Sequence, residues 1–256
     1  MLFRQNFTDR LVSTYVFDEN ISLDFVWADS LGAKTMCTLV KTPEVKILLD
    51  PGVAVMQPSF PASWEKKYYW KARAWLSMKE ASRQADVIVV SHYHYDHFTD
   101  FDRDLYDGKL LLLKDPNEFI NDSQMDRARS FIRKICESFG DADLSDLMEE
   151  RSEREYGNPL EDIPHARDKD FGDYNSRREE LIDKWLDNYW RRVENWKSSK
   201  LIPEFGFDDL EVRFPEGCEL EFGETRLSFT DPLFHGIELS KTGWVFSTVI
   251  ERRGDK

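Results

Sequence analysis

The feature that most restricts how this chain can fold is the passage from DVIVV at 86–90 into SHYHYDHFTDF at 91–101. Five apolar, mostly β-branched residues with no polar face read as a strand buried on both sides. The segment after it has neither helical nor strand period, so it reads as a loop at a strand end, where binding groups gather. A strand buried on both faces cannot stand alone. It requires a multi-stranded sheet with further layers packed on it.

The rest of the chain supplies such layers. Residues 21–50 read as a strand meander in which Leu23, Phe25 and Trp27 alternate with polar or small neighbours. MCTLV at 36–40 and VKILL at 45–49 follow, joined by a turn at Thr42-Pro43-Glu44, and Asp50-Pro51-Gly52 ends the second run. Residues 64–83 have helical period through Trp64, Tyr68, Ala72, Trp75 and Met78. KLLLL at 109–113 reads as a strand, and 117–139 as a helix with Ala128, Phe131, Ile132, Ile135 and Phe139 on one face. Residues 141–200 form a charged, partly helical insertion, expected to lie outside the core. In it Ile182, Leu186, Tyr189, Val193 and Trp196 mark one amphipathic helix. Strands resume as LEVRF at 210–214, Cys218–Phe222, RLSFT at 226–230 and WVFSTVI at 244–250, with turns at Gly217, Gly223 and Gly243. The order predicts a single α/β domain over 1–256 with a sheet-on-sheet core and helices outside.

Chemistry concentrates in one place. Three of the five histidines, His92, His94 and His97, fall within six residues, with Asp96 among them. In an extended segment residues two apart point the same way, so His92 and His94 present both imidazoles to one side. Asp96 and His97, past a bend, suit a second ion close by, and two metals about 3.5–4 Å apart would bridge a hydroxide. Zinc suits histidine ligands, and Mn2+ or Fe also occupies mixed His/Asp sites.

His92-Tyr-His94-Tyr-Asp96-His97, placed after an apolar strand, resembles the His-x-His-x-Asp-His signature of the metallo-β-lactamase superfamily. Asp50-Pro51-Gly52 resembles that superfamily's earlier strand-end Asp. The stretches 30–55 and 91–101 together resemble an uncharacterised, mainly archaeal family of metallo-β-lactamase-like hydrolases. The resemblance implies an αββα sandwich. It also implies that His92, His94 and His235, in FTDPLFHG, bind a first metal and that Asp96 and His97 bind a second. Asp50 would orient a ligand imidazole or its loop, and a metal-bound water, positioned or deprotonated by Asp96, would attack an ester or phosphodiester. The superfamily's bridging Asp and final His have no counterpart after His235, and Arg253-Gly254-Asp255 reads as a turn into a further strand. The chain is therefore expected to lack its C-terminal portion.

Charge bears on partners. Forty-nine acidic against 35 basic residues give a net charge of −14, which disfavours nucleic acid and anionic membranes, while the resemblance implies a small-molecule or phosphate-bearing substrate. The N-terminus lacks the apolar stretch of a secretory signal, no run has the length of a membrane helix, and Cys37, Cys136 and Cys218 read as free thiols, so a cytoplasmic location is expected. The helix at 64–83 is locally basic and aromatic. It reads as packing its rings on the sheet and solvating its lysines, or as holding an anionic substrate. Two rival functions stay open: a nucleic-acid-processing nuclease of the same fold, and a non-catalytic metal-binding or regulatory protein with a degenerate second site.

Overall fold

A computed structural model describes residues 13–16, 20–161, 163–208, 210–236 and 241–252. The N-terminal stretch before Ser13 and the turn read at Arg253-Gly254-Asp255 lie outside the described residues.

The first half runs β1 (Ser13–Val16), β2 (Ser22–Phe25), β3 (Ala33–Lys34), β4 (Thr38–Lys41), β5 (Lys46–Leu49), β6 (Ala54–Val55), α1 (Trp64–Ser82), β7 (Val87–Val90), α2 (Arg103–Tyr106) and β8 (Leu110–Leu113). Next come α3 (Asp122–Ile135), which continues through one wider turn to Gly140, then α4 (Leu144–Leu147), α5 (Pro164–Asp168) and α6 (Asn175–Ser198). The chain returns to strands with β9 (Phe205–Phe207), β10 (Leu210–Arg213), β11 (Glu219–Phe222), β12 (Thr225–Phe229), β13 (Leu233–Phe234), β14 (Trp244–Val245) and β15 (Thr248–Arg252).

The molecule is mixed α/β. Eight strands form one mixed sheet in the order β1-β2-β4-β5-β7-β8-β10-β9, with β5, β7, β8 and β10 mutually parallel. β7 sits near the centre, and all four of its residues are buried. Alternation along it divides two cores. Ile88 and Val90 face the larger one, shared with α1, α3 and α6, while Val87 and Val89 face the smaller one. The antiparallel sheet β11-β12-β15 packs on that second side through Leu227 and Phe229. Its other face is polar: Arg226 pairs with Glu251 at 2.6 Å and with Glu219 at 3.6 Å.

Four expectations need correction. The charged insertion is not outside the core. Trp185, Tyr189, Val193 and Trp196 of α6 are buried in the larger core, because one face of this helix is apolar enough to replace solvent over α3 and β14. On α1 the expected face holds only in part: Met78 is buried and Trp75 packs against the larger core, as does Trp70, but Trp64, Tyr68 and Tyr69 are exposed, and Ala74 and Lys67 are buried instead. Lys67 is tolerated there because its ammonium donates to the Gln57 and Pro58 carbonyls at 2.9 and 3.1 Å. In β2, Phe25 is exposed and Asp24 buried, because Lys41 pairs with the Asp24 carboxylate across the strands at 2.5 Å. The 244–250 run breaks into β14 and β15, which join different sheets.

Candidate metal centre

The parallel strands β5 and β7 deliver the two halves of the site. Asp50 follows β5 and Ser91 follows β7, side by side at the carboxyl ends of their strands. Asp50 adopts a left-handed backbone (φ 47°), and its N–H donates to Val89 O at 2.8 Å, which turns the carboxylate toward Ser91. The N–H groups of His97 and Phe98 both donate to His94 O, at 2.8 and 3.0 Å, so the loop folds back and brings His97 beside His92. Gly52 lets the two turns touch. A Cβ there would lie 2.2 Å from Phe98 N and 2.4 Å from His97 N.

His92, His94 and His235 converge. One ring nitrogen from each lies within 4.8 Å of the others, and His92 Nε2 is 3.0 Å from His94 Nδ1. Tetrahedral coordination with Zn–N bonds of about 2.0–2.1 Å sets nitrogen atoms about 3.3 Å apart. The 3.0 Å between the His92 and His94 nitrogens is close to that spacing, and three imidazoles are a donor set that suits a zinc-type ion. Burial, then the neighbouring His97, His94 and His235, holds His92 far below the ordinary histidine range. Burial and then His235 lower His94 to about 4, with Arg127 and His97 acting in the same direction and Asp96 opposing. Both rings are therefore neutral near pH 7, the state that offers lone pairs to a metal.

Hydrogen bonding selects the tautomer. Asp50 Oδ2 accepts the Ser91 hydroxyl at 2.9 Å, so Ser91 Oγ is left to accept from His92 Nδ1, 3.0 Å away. That arrangement leaves His92 Nε2 unprotonated and facing His94. The same Asp50 oxygen accepts from His97 Nδ1 at 2.9 Å. Burial lowers His97, but Asp50 and then Asp96 and Asp29 outweigh it and raise this ring's pKa.

Asp96 is engaged elsewhere: its carboxylate meets Lys34 Nζ at 3.3 Å. Burial raises its pKa, but His97 and Lys34 outweigh burial and hold the carboxyl below its usual range. The structure thus gathers His92, His94 and His235, sets His97 against His92 with ring centroids 4.1 Å apart, and turns Asp96 toward Lys34. His165 is exposed on α5 and is not one of the three histidines that converge.

Several contributors escaped the sequence reading. Ser91 precedes His92 and links it to Asp50. Lys34 faces Asp96, and Arg127 donates to Tyr93 O at 2.9 Å while lying 4.9 Å over the Tyr95 ring. Asn121 and Gln124 hold the turn at Lys241-Thr242. Asn121 and Gln124 did carry a signal, since Asn followed three residues later by Gln marks a helix start. Asn121 does cap α3, accepting the Gln124 N–H at 2.9 Å. The Gln124 side chain, however, is used for tertiary contacts.

The chain's homologues are archaeal UPF0282 proteins, whose names state no activity. It is similar to a UPF0282 protein of Methanocaldococcus jannaschii, 34% identical over 160 residues, covering 57% of this chain and 54% of the relative. It is also similar to one of Methanopyrus kandleri, 39% identical over 243 residues, covering 88% of this chain and 57% of the relative. A third relative, from Korarchaeum cryptofilum, is 36% identical over 125 residues, 46% of this chain and 40% of its own length. The chain thus spans about half the length of these relatives. No family model matches the chain, and no solved structure matches it. None of the helices among the described residues is long and apolar enough to cross a membrane.

Proposed function

We propose that this chain is a metal-dependent hydrolase of metallo-β-lactamase type that acts on an ester or phosphodiester. The observation that carries this reading is the convergence of His92, His94 and His235 within 4.8 Å at the end of a buried parallel strand. Three histidine ligands with a free position are the donor set of many catalytic zinc sites. A bound ion would supply Lewis acidity and bring a water's pKa toward neutrality.

The chain's own residues do the rest. Asp50, acting through Ser91, keeps His92 in the tautomer whose Nε2 faces the centre. Asp50 also fixes His97, whose raised pKa lets it carry a proton beside the trio. Asp96, held ionised by His97 and Lys34, is an acceptor next to these rings and suits orienting a nucleophilic water. Lys34 and Arg127 place positive charge around the site in a chain of net −14, which suits an anionic ester such as a phosphodiester. Zinc is the preferred ion, with Mn2+ or Fe as alternatives.

A second reading, a metal-binding protein without catalysis, is favoured by one observation. The side chains expected at a second ion are committed elsewhere, Asp96 to Lys34 and His97 to Asp50. Elemental analysis of the purified chain, with hydrolysis of bis(p-nitrophenyl) phosphate, separates the two. About one metal per chain with activity lost in His94→Ala supports a mononuclear hydrolase. One metal without hydrolysis of any ester supports the binding protein, and a chain that takes up no metal overturns both.

A further inference from the structure

We infer that Gln124, on the first turn of α3, is the positioning residue that locks the third ligand, His235, to the His92–His94 segment. This rests on the metal-centre reading above.

Gln124 is fully buried, and its amide is used at both ends. Oε1 accepts the backbone N–H of Tyr93, the residue between His92 and His94, at 3.0 Å. Nε2 donates to Thr242 O at 2.7 Å. The Thr242 hydroxyl in turn donates to His235 O, and the His235 N–H donates to Gly243 O at 2.9 Å. One side chain therefore spans two ligand-bearing segments more than a hundred residues apart in sequence. The amide nitrogen also lies 3.5 Å from His94 Nε2, on the ring edge opposite the nitrogen that faces His92.

The His235 side rests on Trp185 through Phe234, but its own backbone ladder is short. Among the described residues β13 and β14 are two residues each and form a two-stranded sheet with one another. A two-residue ladder is too short to set a ligand to the few tenths of an ångström that coordination requires. Asn121 adds Nδ2 contacts to Lys241 O and Thr242 O at 3.2 and 3.0 Å, but it reaches only the His235 side. Among these contacts Gln124 alone touches both. Both its orientation and its chemistry are demanded: Tyr93 needs an acceptor and Thr242 a donor, which an amide supplies and a carboxylate or hydrocarbon does not.

The test is Co2+ titration of the metal-free protein, read by its visible ligand-field spectrum, with thermal melts alongside. Gln124→Leu should fold and bind Co2+ about 10–100-fold more weakly, with an altered spectrum as His235 is lost from the ligand set. Ile132→Val, two turns along the same helix and fully buried, is the control for simple loss of stability. It should lower the melting temperature without changing the spectrum or affinity. If Gln124→Leu does not fold, Gln124→Glu serves in its place, keeping the acceptor for Tyr93 and losing the donor to Thr242. Wild-type affinity and spectrum in the Gln124 variant overturn the positioning role alone. A wild-type chain that binds no Co2+ overturns the metal centre with it.

Discussion

The carboxylate of Asp50 grips Ser91 twice, accepting its backbone N–H at 2.8 Å and its hydroxyl at 2.9 Å. The first contact continues the β5–β7 pairing beyond the strand ends, and the second passes the carboxylate's influence to His92. Ser91→Ala keeps the first and removes the second. The His92 tautomer then loses its lock, while the backbone stays in place. Metal affinity should fall by about 10-fold or more, with only a small change in melting temperature. Isothermal titration with Zn2+ measures it, and an unchanged affinity would show that Ser91 is a spectator.

Acid should act on the metal-free protein through the same histidines. In the unfolded chain they take up protons near the ordinary value of 6.5, whereas folded His94 resists until about 4 and His92 resists further. The unfolded state therefore binds more protons between those values, so stability falls as pH drops from about 6.5 toward 4. His97 has the opposite sign. Its folded pKa is raised, so its contribution is complete below the unfolded value and is lost as pH rises through the raised one. Urea midpoints at pH 7 and pH 5 should show the acid loss, and His94→Gln should shrink it. Equal losses in both proteins would contradict the buried, neutral state of this ring.

Much of this arrangement could be read from residues alone, and the exceptions share a cause. DVIVV becomes the buried β7, shorter by one residue, because a run apolar on both faces has one comfortable environment. His92 and His94 do face one point. Phe25 and the α1 rings of Trp64 and Tyr68 lie outside the core because periodicity identifies a stripe but not its polarity or its full length. A lysine long enough to reach two carbonyls, or an aspartate with a cross-strand lysine, reverses which side is buried. Asp50 beside His97 agrees with the orienting role that the resemblance implies, whereas the partner of Asp96 was invisible for another reason. Lys34 reaches it across turns, at a sequence separation that no local pattern reports.

Gly52 carries a steric prediction. With the backbones of His97 and Phe98 within 2.4 Å of where its Cβ would stand, Gly52→Ala must push the 50–52 turn away from the histidine loop. The Asp50–His97 contact at 2.9 Å should break first. Metal binding should weaken and stability fall by about 1–3 kcal/mol, as overpacking of a tight contact does. Gly108→Ala meets no atom within 4 Å and serves as comparison, its cost confined to backbone strain at φ 67°. If Gly52→Ala bound metal as the wild type does, close approach of the two turns would not matter to the site.

The insertion at 141–200 is tested by its aromatics. Trp185 stacks on Tyr189 with centroids 5.7 Å apart and meets Phe234 edge-on at 5.5 Å, and Phe234 directly precedes His235. Removing this ring leaves a cavity beneath the His235 hairpin. Trp185→Ala should cost about 3–5 kcal/mol by chemical denaturation. It should also weaken metal binding, because Phe234 loses the surface it rests on. Tyr174→Ala, on the same insertion but 75% exposed, should stay within about 0.5 kcal/mol of wild type. An insertion that merely decorated the surface would make the two substitutions alike. A large difference, with metal affinity following Trp185 and not Tyr174, would mark α6 as the platform on which the third ligand stands.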